Sequence, residues 1–178
     1  MKSFKHPILF CLLFLSSALL LHPTEVNLNT TASVFFSPKG GCTQAIVDTT
    51  EQAKTEILVQ AYSFTSQPIA EALVNAYKRN IKVEIILDKS QLTAKSSMLS
   101  YVASAGIPTY IDSKHAIAHN KIMIIDRKTV ITGSFNFTKS AEEKNAENLI
   151  ILPSKELAKE YISNFNTHKQ HSVKYGGA

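Results

Sequence analysis

The sequence predicts an α/β fold, an α-β-α sandwich whose mixed central sheet is flanked by helices. Three observations predict it. Apolar runs alternate with segments of helical period through the first part of the chain. One of those runs, "EILVQAYSF" (56–64), is nearly continuous, as in a strand covered on both faces, and "KVEIILD" (82–88) reads as another strand. Later, "NKIMIID" (120–126) and "TVITGS" (129–134) stand close enough to form a hairpin, which adds antiparallel strands to the sheet. With 178 residues, 44% of them hydrophobic, and no linker or internal repeat, the chain suits one core.

Lys2, Lys5 and His6 precede an apolar run from Ile8 to Leu21, too short for a comfortable membrane span and placed where a secretory signal belongs. Residues 1–22 are therefore read as a signal peptide, or a signal anchor if uncleaved, and the protein as exported, periplasmic or secreted. Residues 23–32 are a polar, aperiodic leader, 33–170 a single domain, and 171–178 a C-terminal tail whose last residues, "YGGA", have no predicted structure. Removing Lys2 and Lys5 from the 19 basic residues leaves 17 against 14 acidic ones, a charge of +3 that suits an anionic partner. Cys11 falls in the signal and Cys42 is left alone, which excludes an intramolecular disulfide or a cysteine metal site in the mature chain.

Within the domain, "SVFFS" (33–37) reads as a strand and "GGCTQAIVDTTEQAKT" as a turn and helix. After the 56–64 strand, Ser66 is a candidate N-cap with Pro68 in the first turn, and Ile69, Leu73, Ala76 and Tyr77 share one helical face. Residues 94–105 suit a helix stopped by Gly106 and Pro108, "TYID" (109–112) a short strand, and Arg127–Lys128 the hairpin turn. "ENLIIL" (147–152) is a further strand and "SKELAKEYISNFNTHK" a last amphipathic helix. Tyr62, Phe64, Phe35 and Phe36 are expected in the core rather than as base-stacking platforms.

Side-chain period decides which polar groups cooperate. On a strand from 119 to 126, His119 and Lys121 share one face, about 7 Å apart, while Asp126 points to the other. Ser134 and Asn136 share a face just past Gly133, where a missing side chain permits close approach of a ligand or another backbone. An imidazole can attack phosphorus or move a proton near neutral pH, and an ammonium can stabilise the added negative charge. Ser134 and Asn136 supply neutral donors. Asp126 is given a supporting role in the hairpin, and Glu147, at the start of its strand, is the carboxylate best placed to orient a histidine.

The whole set, His119-x-Lys121-x4-Asp126-x6-Gly133-Ser134-x-Asn136, is the HKD pattern and resembles the phospholipase D superfamily. Glu147, eleven residues beyond Asn136, falls where that family carries an acid partner for its histidine. "ILVQAYSFTSQPIAEALVNAYKRNIKVEIILD" is similar to the leading half of the family's small bacterial Nuc-type endonucleases, and the resemblance spans roughly residues 33–166. It implies a phosphohistidine on one histidine, a second histidine as acid for the leaving group, and no metal or other cofactor. Members with a single motif form a homodimer, so the resemblance implies that His119 and Lys121 of two chains meet at one site. The expected substrate is DNA or RNA. A phospholipase D acting on phospholipid headgroups and a non-catalytic nucleic-acid-binding module are the rival readings.

His115 and His119 have a spacing that could bind zinc on a helix, but Ala116 stands where a zinc-protease helix needs Glu, and the surroundings disfavour a helix. No metal site is expected. His115 is a possible rim residue, and His168 and His171 read as solvated.

Overall fold

In the computed structural model, described here for residues 24–176, eight strands form one sheet. Residues 24–32 carry no helix or strand, and the predicted signal segment lies outside the described residues. The strands are β1 (Ser33–Ser37), β2 (Glu56–Ala61), β3 (Lys82–Asp88), β4 (Thr109–Asp112), β5 (Lys121–Ile125), β6 (Thr129–Gly133), β7 (Glu147–Pro153) and β8 (Val173–Lys174). Their order across the sheet is β1-β7-β6-β5-β2-β3-β4-β8. Parallel pairing joins β2, β3 and β4, and every other neighbouring pair is antiparallel. This is the mixed sheet that the run pattern predicts.

The two-residue side-chain period divides the core into two layers. Ile57, Val59, Met123, Ile125 and Ile131 face α1 (Cys42–Glu51), α2 (Gln67–Lys78) and α3 (Leu99–Ser104), packing on Ile46, Ile69, Leu73 and Val102. Leu58, Ile86, Ile122, Ile124 and Val130 face the opposite way, onto Ala158, Ile162 and Phe165 of α5 (Lys155–His171). Alternate residues of β2 and β5 thus feed both layers, which is why residues 57–59 and 122–125 are unbroken apolar stretches. Burying a phenylalanine such as Phe165, 1% exposed, contributes roughly 1.5–3 kcal/mol.

Four local readings are corrected. The expected 94–105 helix is reduced to α3, because Asp88 accepts from Ser90 N (2.9 Å) to start a 3₁₀ turn at Lys89–Leu92, and Ser97 Oγ accepts from Leu99 N (3.2 Å) at the later start. The hairpin turns on Asp126 and Arg127 rather than Arg127 and Lys128: both have positive φ (51° and 56°), and Lys128 N donates to Ile125 O at 3.1 Å. Residues 171–174, assigned to the tail, carry regular structure, since α5 runs to His171 and β8 then pairs with β4. Phe64 is fully buried as expected, but Phe36 is 67% exposed, because it projects from the part of the sheet face beyond α5. A short helix, α4 (Lys139–Glu143), follows the hairpin, capped by Thr138.

Candidate active site

β2 ends beside the start of β5, the end of β6 and the start of β7, and the predicted site residues collect at that edge. It is the carboxyl end of the parallel strands, where open α/β sheets place their ligands. His119, Lys121, Gly133, Ser134, Asn136 and Glu147 line one depression of about 360 Å³. A second depression, about 370 Å³, shares His119, Lys121 and Gly133 and continues over the α5 face past Glu160, Tyr161 and Asn164. A groove therefore passes through the histidine and the lysine.

His119 lies just before β5 rather than on it, because the strand begins at Lys121. Its segment is still fixed. Ala118 N donates to Asp88 Oδ2 (2.8 Å), and Tyr62 N donates to Asn120 O (2.9 Å). The Tyr62 ring packs against the imidazole, centroids 4.6 Å apart, and lies 5.2 Å from Lys121 Nζ. Tyr62 is thus part of the site wall rather than the core. Its sequence signal is its position immediately after a buried parallel strand.

Lys121 is 8% exposed, and Nζ donates to His119 O at 2.8 Å. Burial lowers its pKa, partly opposed by the charge of Glu147. An arriving phosphodiester supplies the negative charge that such an ammonium lacks, so anion binding and full protonation reinforce each other. Glu147 reaches the depression but accepts from Asn145 Nδ2 (3.1 Å), and no hydrogen bond joins it to His119 among the described residues.

β6 ends at Gly133, so Ser134 and Asn136 lie beyond the strand that was expected to carry them. Ser134 N and Phe135 N both donate to Asn148 O (3.1 and 3.2 Å), which bends the chain as a bulge does. Ser134 Oγ accepts from Asn148 N and Nδ2 (3.0 and 3.2 Å), leaving its own proton for a ligand oxygen. Asn136 Oδ1 is buried without a partner among the described residues, an arrangement whose cost a bound ligand or water can offset. Asn148 was missed from the sequence, where nothing distinguishes it from other strand polar residues.

Gly133 has φ 146°, and a Cβ there would stand 2.3 Å from Asn148 O. The close approach is to another backbone. Gly133→Ala is expected to lower stability by about 3 kcal/mol or more and to reduce activity, by displacing the Ser134 and Asn148 backbones. Urea unfolding and turnover measured on the same preparation check it.

Asp126 points away from the site, as its parity predicts. Its carboxylate accepts from Lys54 N (3.0 Å), Thr55 N (2.7 Å), Thr55 Oγ1 (2.9 Å) and Glu56 N (3.2 Å). Burial would raise its pKa, but these hydrogen bonds, Thr55 first, hold it below the ordinary value. His115, read as a rim residue, lines neither depression, and it shares no helix with His119. His168 and His171, read as solvated, are instead half-buried and reach Asp112 at 2.7 and 3.2 Å. The short helical repeat of these histidines carried no sign of a buried acid on a distant strand.

A sheet of this topology, with an imidazole, a buried lysine and neutral donors gathered at the carboxyl edge of its parallel strands, is suited to holding an anion. Residues 46–169 match the family described as "Cardiolipin synthase, PLD-like domain". A "Phospholipase D" of Rickettsia prowazekii (strain Madrid E) is 46% identical over 140 residues, covering 79% of this chain and 68% of that protein. A "Mitochondrial cardiolipin hydrolase" of Xenopus laevis is 29% identical over 65% of this chain and 60% of its own. Nuc from Salmonella typhimurium, solved as a phospholipase D family member, aligns with a TM-score of 0.79 at 38% identity, over 82% of this chain and 97% of that one. NucT from Helicobacter pylori gives 0.76 at 26% identity, over 82% and 99%. The chain belongs to the phospholipase D superfamily of phosphodiesterases.

Proposed function

We propose that the protein is an exported, metal-independent endonuclease that cleaves nucleic acid through a phosphohistidine at His119, in a site shared by two copies of the chain. The observation that carries the reading is the convergence of His119, Lys121, Ser134, Asn136 and Glu147 on one depression. The donor set supports chemistry without a divalent cation at that place: one carboxylate beside an ammonium is a poor cage for magnesium, which favours carboxylates with phosphate oxygens. Similarity to Nuc and NucT, nearly the whole length of both, supports nucleic acid over lipid.

In the first step a His119 ring nitrogen forms a bond to phosphorus as the bond to the leaving oxygen breaks. Lys121, Ser134 and Asn136 hold the non-bridging oxygens, whose charge grows in the transition state. The leaving oxygen takes its proton from a second imidazole. Water then attacks the phosphohistidine, giving its proton to the same second group, and frees His119. Among the described residues one chain supplies a single histidine to this depression, so the partner's copy of His119 is the acid.

The sheet face left uncovered among the described residues supports a second copy as its occupant. Val34 and Phe36 are 53% and 67% exposed, and Phe36 is opposite Asn148, the residue bonded to Ser134. An apolar face continuous with an incomplete site suits a two-fold contact. Phe36→Glu is expected to convert dimer to monomer in light scattering and to lower turnover about 100-fold or more, by separating the two imidazoles. A fully active monomer would end the shared-site reading.

A phospholipase D is the second reading, favoured by the name of the Rickettsia relative. Mature protein incubated in excess EDTA with plasmid DNA, RNA or phosphatidylcholine vesicles separates the two. Cleavage of nucleic acid but not lipid is expected, and lipid turnover without nucleic-acid cutting would replace nuclease by lipase. Export is tested by locating the protein after cell fractionation.

A further inference from the structure

Away from His119, at the far side of the same sheet edge, three histidines surround one buried carboxylate. Asp112 closes β4 and has a fully buried side chain. Its Oδ2 lies 2.7 Å from His168 Nδ1 and 3.2 Å from His171 Nε2, both on the last turn of α5. His115, on the loop after β4, places Nδ1 4.0 Å from Asp112 Oδ1. The three imidazole centroids are 4.9, 5.2 and 5.2 Å apart.

We propose that Asp112, His115, His168 and His171 form a structural site for a late first-row divalent cation, with zinc the best match. One donor atom from each residue lies within 4.8 Å of all the others. Four atoms bonded to a tetrahedral zinc at about 2.0–2.1 Å stand about 3.3 Å apart, so donors within 4.8 Å of one another need to close by at most about 1.5 Å. Three imidazoles and a carboxylate are borderline donors of the kind zinc prefers, and none is needed at the His119 depression.

A separate observation points to a ligand. His115 Nδ1 is buried and has no hydrogen-bond partner among the described residues, although it faces the cluster. An internal Asp–His contact explains His168 and His171 but leaves that nitrogen unaccounted for. Lys114 N donates to Asp112 Oδ1 at 3.0 Å, and Lys89 Nζ donates to His115 O at 3.0 Å, so both sides of the shell are held from outside it. The imidazole of His115 is 38% exposed, which gives the ion an entry path.

Four protein donors leave no open coordination position, so the ion's role is structural rather than catalytic. It would tie together β4, the end of α5 with its following strand β8, and the loop that runs from His115 to Ala118 beside His119. β4 and β5 are three strand spacings apart, about 14 Å, so the ion does not touch the depression at His119. The proposal is independent of the substrate assigned to that depression.

The test uses tag-free mature protein stripped with chelator and then titrated with zinc by calorimetry. Binding of one zinc per chain is expected, with a rise in melting temperature that EDTA reverses. Cobalt in place of zinc is expected to give the visible absorption bands of a tetrahedral site. His168→Ala/His171→Ala is expected to abolish binding, and His119→Ala to leave it intact. Should the double variant fail to fold, His115→Gln reads the same site and is expected to weaken zinc at least about tenfold. No saturable binding by the folded wild-type protein, or unchanged binding in His115→Gln, overturns the proposal and leaves the cluster as an Asp–His contact alone.

Discussion

His119→Ala is expected to lower phosphodiester cleavage by about 10⁴-fold or more, with melting temperature changed by no more than a few degrees. The imidazole makes no hydrogen bond to the framework among the described residues, and its main packing partner is the ring of Tyr62. Removing it therefore takes away the attacking nitrogen and, in a two-fold site, the proton donor as well. Loss of both roles in one substitution makes the expected effect larger than for a general acid alone, worth about 10²–10⁴. His119→Gln tests whether any hydrogen-bonding group of similar size suffices; activity near wild type in that variant would place the nucleophile elsewhere.

Asp126→Ala carries the second large effect, on stability. Its carboxylate gathers two backbone N–H groups from the segment before β2, the N–H of Glu56 and the hydroxyl of Thr55, while its own backbone holds a left-handed conformation. Loss of a charged acceptor with several donors, added to alanine in that conformation, is expected to cost about 3 kcal/mol and lower the melting temperature by about 10 °C. Asp126→Asn keeps a side chain that tolerates the turn, and so is expected to lose less. The sign with pH follows from the lowered pKa in the folded state. The carboxylate's contribution is present above its unfolded value of about 3.9 and is lost as pH falls through the lower folded value. The gap between wild type and Asp126→Asn in urea midpoint is expected to be full at neutral pH and to shrink toward pH 2. Equal gaps at both ends would contradict it.

The two-residue period made much of this legible. It put His119 and Lys121 on one face and Asp126 on the other, and the structure holds Asp126 away from the depression, on Lys54, Thr55 and Glu56. The sequence also marked Gly133 as a place of close approach, although the approaching group is the Asn148 backbone. What stayed hidden depends on long-range contacts. Asp88, a strand-end carboxylate, reaches across to Ala118 N and fixes the approach to His119. Tyr62 looked like one more core aromatic, because its partner is a histidine far along the chain. His168 and His171 looked solvated for the same reason: Asp112 is over fifty residues away in sequence. The exposure of Phe36 depends on where α5 ends across the sheet, which no local pattern encodes.

In the proposed reaction His119 itself forms the bond to phosphorus. That step is tested most directly by mixing mature protein with an end-labelled oligonucleotide in excess EDTA, quenching within one turnover and mapping the labelled protein by mass spectrometry. An acid-labile adduct on His119, absent from His119→Ala, is expected. An adduct on any other residue, or cleavage by His119→Ala at the wild-type rate, would contradict it.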